Sequence, residues 1–226
     1  MSLQMSPAQK RFSLNRSAST TCPKSVPGYL RAACAARLLP LLLFLPLPAA
    51  VRAQWNYATN NGTITITKYT GSGSAVTIPG TIKGISVTCI GDGAFQQCTR
   101  LISVTIPDSV TNIGNQAFLW AGLTSVTIPN RVSRIGDMAF YHCASLTNVT
   151  IGNGVTRIGN QAFENCTCLT NVTIPNSVTR IGGAAFVRCA NLTRVTIPNR
   201  VTDIGDMAFS YCTSLSAITV DALNSC

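Results

Sequence analysis

Residues 169–189 read Leu169-Thr-Asn-Val-Thr-Ile-Pro-Asn-Ser-Val-Thr-Arg-Ile-Gly-Gly-Ala-Ala-Phe-Val-Arg-Cys189, and copies of this stretch organise most of the chain. Its Ala-Phe pair recurs with phenylalanine at Phe95, Phe118, Phe140, Phe163, Phe186 and Phe209, at spacings of 23, 22, 23, 23 and 23 residues. Six cassettes share the frame Leu-x-x-Val-x-Ile-Pro-x-x-Val-x-x-Ile-Gly-x-x-Ala-Phe-x-x-Cys. The short spacing comes from one position lost in Leu119-Trp120-Ala121-Gly122, where Ala121 stands in the cysteine column. A deletion there argues for a turn that tolerates shortening.

Each cassette mixes two periods. Leu146, Val149 and Ile151 point inward from a short strand while Asn148 and Thr150 alternate outward. Pro175 or Gly152 then bends the chain, because proline lacks a ladder donor and glycine is permissive. Val155 and Ile158 form a second inward pair, and Gly159 turns again. Asn160 to Cys166, holding Ala162-Phe163, is read as a single helical or 3₁₀ turn. Asp92, Asn115, Asp137, Asn160 and Asp206 follow the glycine, where an Asx side chain suits a cap for that turn, and Gly183 departs from the pattern.

A cassette of this length cannot bury its own Leu, Val, Ile, Phe and Cys side chains, so successive units must stack and cover one another. The expected fold is a β-rich α/β solenoid of about six coils of 22–23 residues. Its core ladder consists of Phe95, Phe118, Phe140, Phe163, Phe186 and Phe209, with Cys143, Cys166 and Cys189 alongside.

The strand Leu-x-x-Val-x-Ile resembles the leucine-rich-repeat signature, and its continuation Ile-Pro-x-x-Val-x-x-Ile-Gly-x-x-Ala-Phe-x-x-Cys is similar to the BspA-like class of those repeats. The resemblance covers about Ala75 to Val220. It implies a horseshoe or arc. It also implies a surface or secreted protein of the kind implicated in adhesion to host proteins, matrix or other cells. The class shares no catalytic site, so only the scaffold role of the apolar columns carries over.

The ends of the chain read differently from its middle. Leu38 to Val51 is an apolar run after basic residues, ending at Val51-Arg52-Ala53, which is a signal-peptide layout with cleavage ahead of Gln54. A membrane anchor is the alternative, but the run is shorter than the roughly 20 residues needed to span and contains Pro40, Pro46 and Pro48. The basic segment before it is long, and Val26 is a candidate non-ATG start. Residues 1–53 are thus expected to be a leader, 54–89 capping strands with an atypical first coil, and 90–226 the solenoid without a C-terminal cap. In the cap, Asn60-Asn61-Gly62 signals a hairpin and Thr63 to Thr67 alternates as a half-buried strand.

Composition bounds the partners. With 46% hydrophobic and 11% charged residues the chain is neither disordered nor a polyelectrolyte. Its +10 net charge suggests nucleic acid, yet seven of the 17 basic residues and none of the seven acidic ones precede Gln54, leaving a balance of only +3 beyond. Nucleic acid and a membrane span in the mature chain are therefore not expected. Eight of the ten cysteines follow Ala53, with Cys98, Cys143, Cys166, Cys189 and Cys212 in one column. An exported protein invites a disulfide framework, but side chains in register on stacked coils lie a strand spacing apart, beyond the ~3.8 Å between Cβ atoms that a disulfide favours. A row of buried thiols is the preferred reading, with Cys89, Cys168 and Cys226 the more reactive cysteines. Cys166-Thr167-Cys168 has no second pair to complete a zinc site.

Two surfaces are candidates for binding. The outward strand positions, notably Asn148, Thr150, Asn171, Thr173, Arg194 and Thr196, form either a docking face for a protein or glycan or a plain solvated strand face. Arg134, Arg157 and Arg180 form a basic edge, either solvated or a site for acidic glycans or phosphate-bearing polymers, with Asp137 the close acid by sequence. His142, the single histidine, stands outside any catalytic arrangement. Asn-x-Thr triplets at Asn61, Asn148, Asn165, Asn171 and Asn191 matter only in a eukaryotic secretory route. No paired carboxylates, phosphate-cradling loop or nucleophile elbow is present. The sequence is read as an exported adhesion scaffold without catalysis, metal or cofactor, or alternatively as a structural portion of a larger surface protein.

Overall fold

The computed structural model describes residues 54–221. The leader reading of residues 1–53 and the thiol of Cys226 lie outside the described residues. Strands β1 (Trp55–Asn60) and β2 (Thr63–Tyr69) pair antiparallel. Asn61 and Gly62 turn this hairpin at φ of 46° and 74°, as an Asn-Gly two-residue loop requires. β3 (Ala75–Thr77) opens the first coil. The extra length of that coil is a second hairpin, β4 (Thr81–Ile82) against β5 (Ile85–Ile90), through Lys83 and Gly84 at positive φ.

From there every coil delivers two strands. They are β6 (Ser103–Thr105) and β7 (Asn112–Ile113), β8 (Ser125–Ile128) and β9 (Arg134–Ile135), β10 (Asn148–Ile151) and β11 (Arg157–Ile158), β12 (Asn171–Thr173) and β13 (Arg180–Ile181), then β14 (Arg194–Ile197) and β15 (Asp203–Ile204). β16 (Ala217–Val220) ends the series. The longer strand of each coil joins a seven-stranded parallel sheet in the order β16-β14-β12-β10-β8-β6-β3. The two-residue strands continue the hairpin through β5 into a second sheet, nine strands counting β4. Register is set by identical residues: Val149 faces Val126 on one side and Val172 on the other.

The solenoid is therefore built of β-strands and turns, and no α-helix occurs among the described residues. The expected helical turn is replaced by a third side that bonds between coils. Gln161 and Asn165 take φ of 55° and 59°, which breaks a right-handed helix twice within five residues. Their N–H groups and that of Phe163 donate to the carbonyls of Gly183, Val187 and Ala185 at 2.9, 2.9 and 2.8 Å. A left-handed non-glycine residue costs roughly 1–2 kcal/mol, and the bond to the next coil offsets it. The same positions are left-handed in the other cassettes, as at Met138, His142, Ala184 and Arg188.

The Asx residues act differently from a turn cap. Oδ1 of Asp92, Asn115, Asp137 and Asn160 accepts the backbone N–H of Asn115, Asp137, Asn160 and Gly183, one coil on, at 2.7, 2.9, 2.8 and 2.9 Å. This ladder runs along the solenoid. Gly183, lacking a side chain, cannot extend it. The preceding glycines are required by contact: a Cβ on Gly159 would sit 2.5 Å from the Gly136 carbonyl carbon.

The interior is the stacked apolar columns. Phe95, Phe118, Phe140, Phe163 and Phe186 are fully buried, with successive ring centroids 4.9, 5.1, 5.2 and 5.2 Å apart and planes within 14° of parallel. Phe209 extends the stack at 5.3 Å but is only partly buried. At the opposite end Tyr69 stacks on Phe95 at 5.4 Å and Trp55 meets it edge-on at 5.9 Å. The hairpin thus closes the ladder with two aromatic rings. The last coil leaves Ile204, Met207, Tyr211, Ile218 and Val220 exposed. No helix among the described residues is long and apolar enough to cross a membrane.

Candidate functional site

The outer face of the seven-stranded sheet is built by alternation: Val149, Val172 and Val195 point in, and the residues beside them point out. Asn148, Thr150, Asn171, Thr173, Arg194 and Thr196 are all exposed. Parallel pairing sets Asn148 beside Asn171, Thr150 beside Thr173, and Asn171 beside Arg194. Thr196 and Thr219 exchange a hydroxyl hydrogen bond at 3.0 Å. The side chains of Asn148, Thr150, Asn171, Thr173 and Arg194 form no hydrogen bond or ion pair among the described residues. On β6 and β8 the same face dips into a depression of about 300 Å³ lined by Ser103, Thr105, Asp108, Ser125 and Thr127.

A neighbouring threonine column has the opposite character. Thr124, Thr147, Thr170, Thr193 and Ser216 each donate their hydroxyl to the main-chain carbonyl one coil back, at 2.9–3.4 Å. Their polarity is spent on the solenoid itself. The sequence alternation names Thr150, Thr173 and Thr196 and passes over this column, whose internal hydrogen bonds only the structure shows.

The second sheet carries the arginines. Arg134, Arg157 and Arg180 are exposed and pair in register across β9, β11 and β13, with Asn112 before them and Asp203 after. Arg180 Nε meets Asp203 Oδ2 at 2.9 Å, with both side chains half exposed. Asp137 is not the partner of Arg134 expected from its position; no ion pair joins them, and its Oδ1 accepts the Asn160 N–H. Ser133, Thr156 and Thr179 beside the arginines donate to the carbonyls of Thr111, Ser133 and Thr156.

The cysteine column is a row of free thiols. Cys143, Cys166 and Cys189 are fully buried and Cys98 and Cys212 half-buried. Each of Cys143, Cys166, Cys189 and Cys212 donates S–H to the carbonyl of Phe118, Phe140, Phe163 or Phe186 at 3.1–3.2 Å. Burial pushes the Cys143 thiol up to about 12, moderated by a backbone hydrogen bond from Ala121. Burial likewise raises Cys166 and Cys189, with the neighbouring thiols adding to the rise. Outside the column Cys89 is free, whereas Cys168 is buried and disulfide-bonded, against the expectation of a reactive thiol. His142 is half-buried on the third side, its ring parallel to that of Trp120 at 4.1 Å. That pairing carries no sequence signal beyond two aromatic residues 22 positions apart.

The family described as the BspA type leucine rich repeat region matches six copies over residues 88–216. No curated protein matches the chain. Among solved structures, a leucine rich cell surface protein from Faecalibacterium prausnitzii A2-165 is 36% identical over 75% of this chain and 54% of its own, with a TM-score of 0.57. A leucine rich repeat protein of T. pallidum is 29% identical over 76% of this chain and 70% of its own, with a TM-score of 0.52. The chain thus spans about half the length of the Faecalibacterium protein.

Proposed function

The chain belongs to the BspA-type leucine-rich repeat family, and from that premise we propose that it is an exported binding scaffold, secreted or held at the cell surface. It engages a protein or glycan through the outer face of its seven-stranded sheet, with no catalytic step and no cofactor. One observation carries this reading: Asn148, Thr150, Asn171, Thr173 and Arg194 lie in register, exposed, with their polar atoms uncommitted. An adjacent threonine column on the same scaffold has every hydroxyl bonded internally. A face of free donors and acceptors on a rigid sheet loses little conformational freedom on binding. The cell-surface designation of the Faecalibacterium relative supports the location.

The test is an array of extracellular proteins and glycans probed with the chain and with Asn148→Ala/Asn171→Ala/Arg194→Ala. The expected result is a reproducible binder that the triple variant loses at least tenfold while keeping its melting temperature. Binding unchanged in the triple variant, or no binder for either protein, overturns the strand face as the docking surface.

A further inference from the structure

Arg134, Arg157 and Arg180 stand directly opposite one another on adjacent parallel strands. At a strand spacing of ~4.8 Å, like charges in that relation destabilise a sheet. The column's one ion pair among the described residues sits at its end, where Asp203 takes Arg180 at 2.9 Å. Asp137 is committed to a backbone N–H, and the hydroxyls of Ser133, Thr156 and Thr179 to carbonyls. Arg134 and Arg157 are consequently exposed with neither ion pair nor hydrogen bond among the described residues. Each guanidinium offers five donors in a planar fork that matches a carboxylate.

We propose that Arg134 and Arg157 form a binding site for a linear carboxylated polysaccharide, one carboxylate seated on each guanidinium. Asp203 on Arg180 is the internal example of that contact: a carboxylate bound to the same column in the same register. A linear acidic chain running along the solenoid passes both guanidiniums, which lie on adjacent coils. Nucleic acid fits less well. The flanking side chains Ser133, Thr156 and Thr179 offer no ring on which a base can stack, and the charge excess beyond Gln54 is small. The site lies on the second sheet, so it stands independently of the strand-face reading.

The experiment measures binding of polygalacturonate to the full chain, whose basic residues before Gln54 are the same in every variant. Neutral dextran, inorganic polyphosphate and duplex DNA are the comparison probes. Polygalacturonate is expected to bind in preference to all three and to weaken with salt. Arg134→Gln/Arg157→Gln should lose roughly five- to tenfold in affinity at an unchanged melting temperature. Asp203→Asn, which frees Arg180 to take a third carboxylate, should bind tighter by about twofold or more. Asn148→Ala/Asn171→Ala/Arg194→Ala should leave polygalacturonate binding intact, which separates this site from the strand face. Unchanged affinity in the double arginine variant, or no gain with Asp203→Asn, overturns the site. Polyphosphate or DNA held more tightly than polygalacturonate through the same arginines overturns the carboxylated ligand.

Discussion

The backbone N–H of Asn160 donates to Oδ1 of Asp137 at 2.8 Å, joining equivalent positions of adjacent coils 23 residues apart. Asp137→Ala leaves that donor without its partner, at a cost of about 1–2 kcal/mol. Asp137→Asn keeps an acceptor oxygen in place, as Asn115 and Asn160 already do, and should lie within about 0.5 kcal/mol of the parent. Chemical denaturation of the two variants checks the difference. Equal losses would show that charge and not the hydrogen bond matters there.

The phenylalanine ladder predicts a gradient along the solenoid. Phe163 is fully buried between Phe140 and Phe186, so Phe163→Ala should cost about 3–5 kcal/mol. Phe209→Ala should cost clearly less, because that residue is only partly buried. Asn148→Ala, on the exposed face, should change stability by less than about 0.5 kcal/mol. Melting temperatures that failed to rank in that order would contradict a core shared between coils.

Backbone geometry makes two small substitutions differ in sign. Gly159→Ala places a methyl group 2.5 Å from the Gly136 carbonyl carbon, and forcing the coils apart should cost about 1–3 kcal/mol. Ala184 sits at φ 55°, where glycine carries no Cβ penalty. Ala184→Gly relieves roughly 1–2 kcal/mol of strain against about 0.4–1 kcal/mol of unfolded-chain entropy. It should therefore be neutral to slightly stabilising, as read by thermal unfolding.

The buried thiols predict alkaline instability. The Cys143 thiol ordinarily ionises near 9.0 but is held protonated up to about 12 in the folded chain, and Cys166 and Cys189 are raised by the same burial. A raised folded-state value means that the contribution to stability is complete below pH 9 and fades as the pH climbs towards 12, since only the unfolded thiols ionise in that window. Ala121 shows that alanine fits this column. Cys143→Ala/Cys166→Ala/Cys189→Ala should be less stable at neutral pH yet lose less between pH 9 and 11 than the parent. A thiol reagent at neutral pH should label Cys89 and leave the three buried cysteines untouched. Parallel pH profiles for parent and variant would contradict the linkage.

Much of this architecture is legible in the residues. The Phe95 to Phe209 spacing sets the length of a coil, and alternation around Val149 and Val172 assigns their strand faces. Asn61-Gly62 announces the hairpin, and the cysteine column reads as thiols because stacked coils hold Cβ atoms too far apart for disulfides. The third side was not legible. Ala-Phe followed by cysteine three residues later suits a helical turn, and nothing local reveals that Gln161 and Asn165 adopt positive φ to send their N–H groups into the next coil. The Asx residues were recognisable as acceptors for backbone donors, but their donors lie a full coil away. For the binding surfaces, alternation located the outward columns at Asn148, Thr150 and Arg157, but that the Thr150 hydroxyl is free while that of Thr147 bonds a carbonyl one coil back is visible only in the structure.

The amino-acid order alone determined which side chains must be hidden and how often, because apolar periodicity is a property of the chain and burial follows from it. Only the tertiary structure decided where each polar group spends its hydrogen bonds: Asp137 on a neighbouring backbone instead of on Arg134, and Asp203 on Arg180. Those choices depend on what the coil above or below presents within about 3 Å, and sequence separation carries no information at that range.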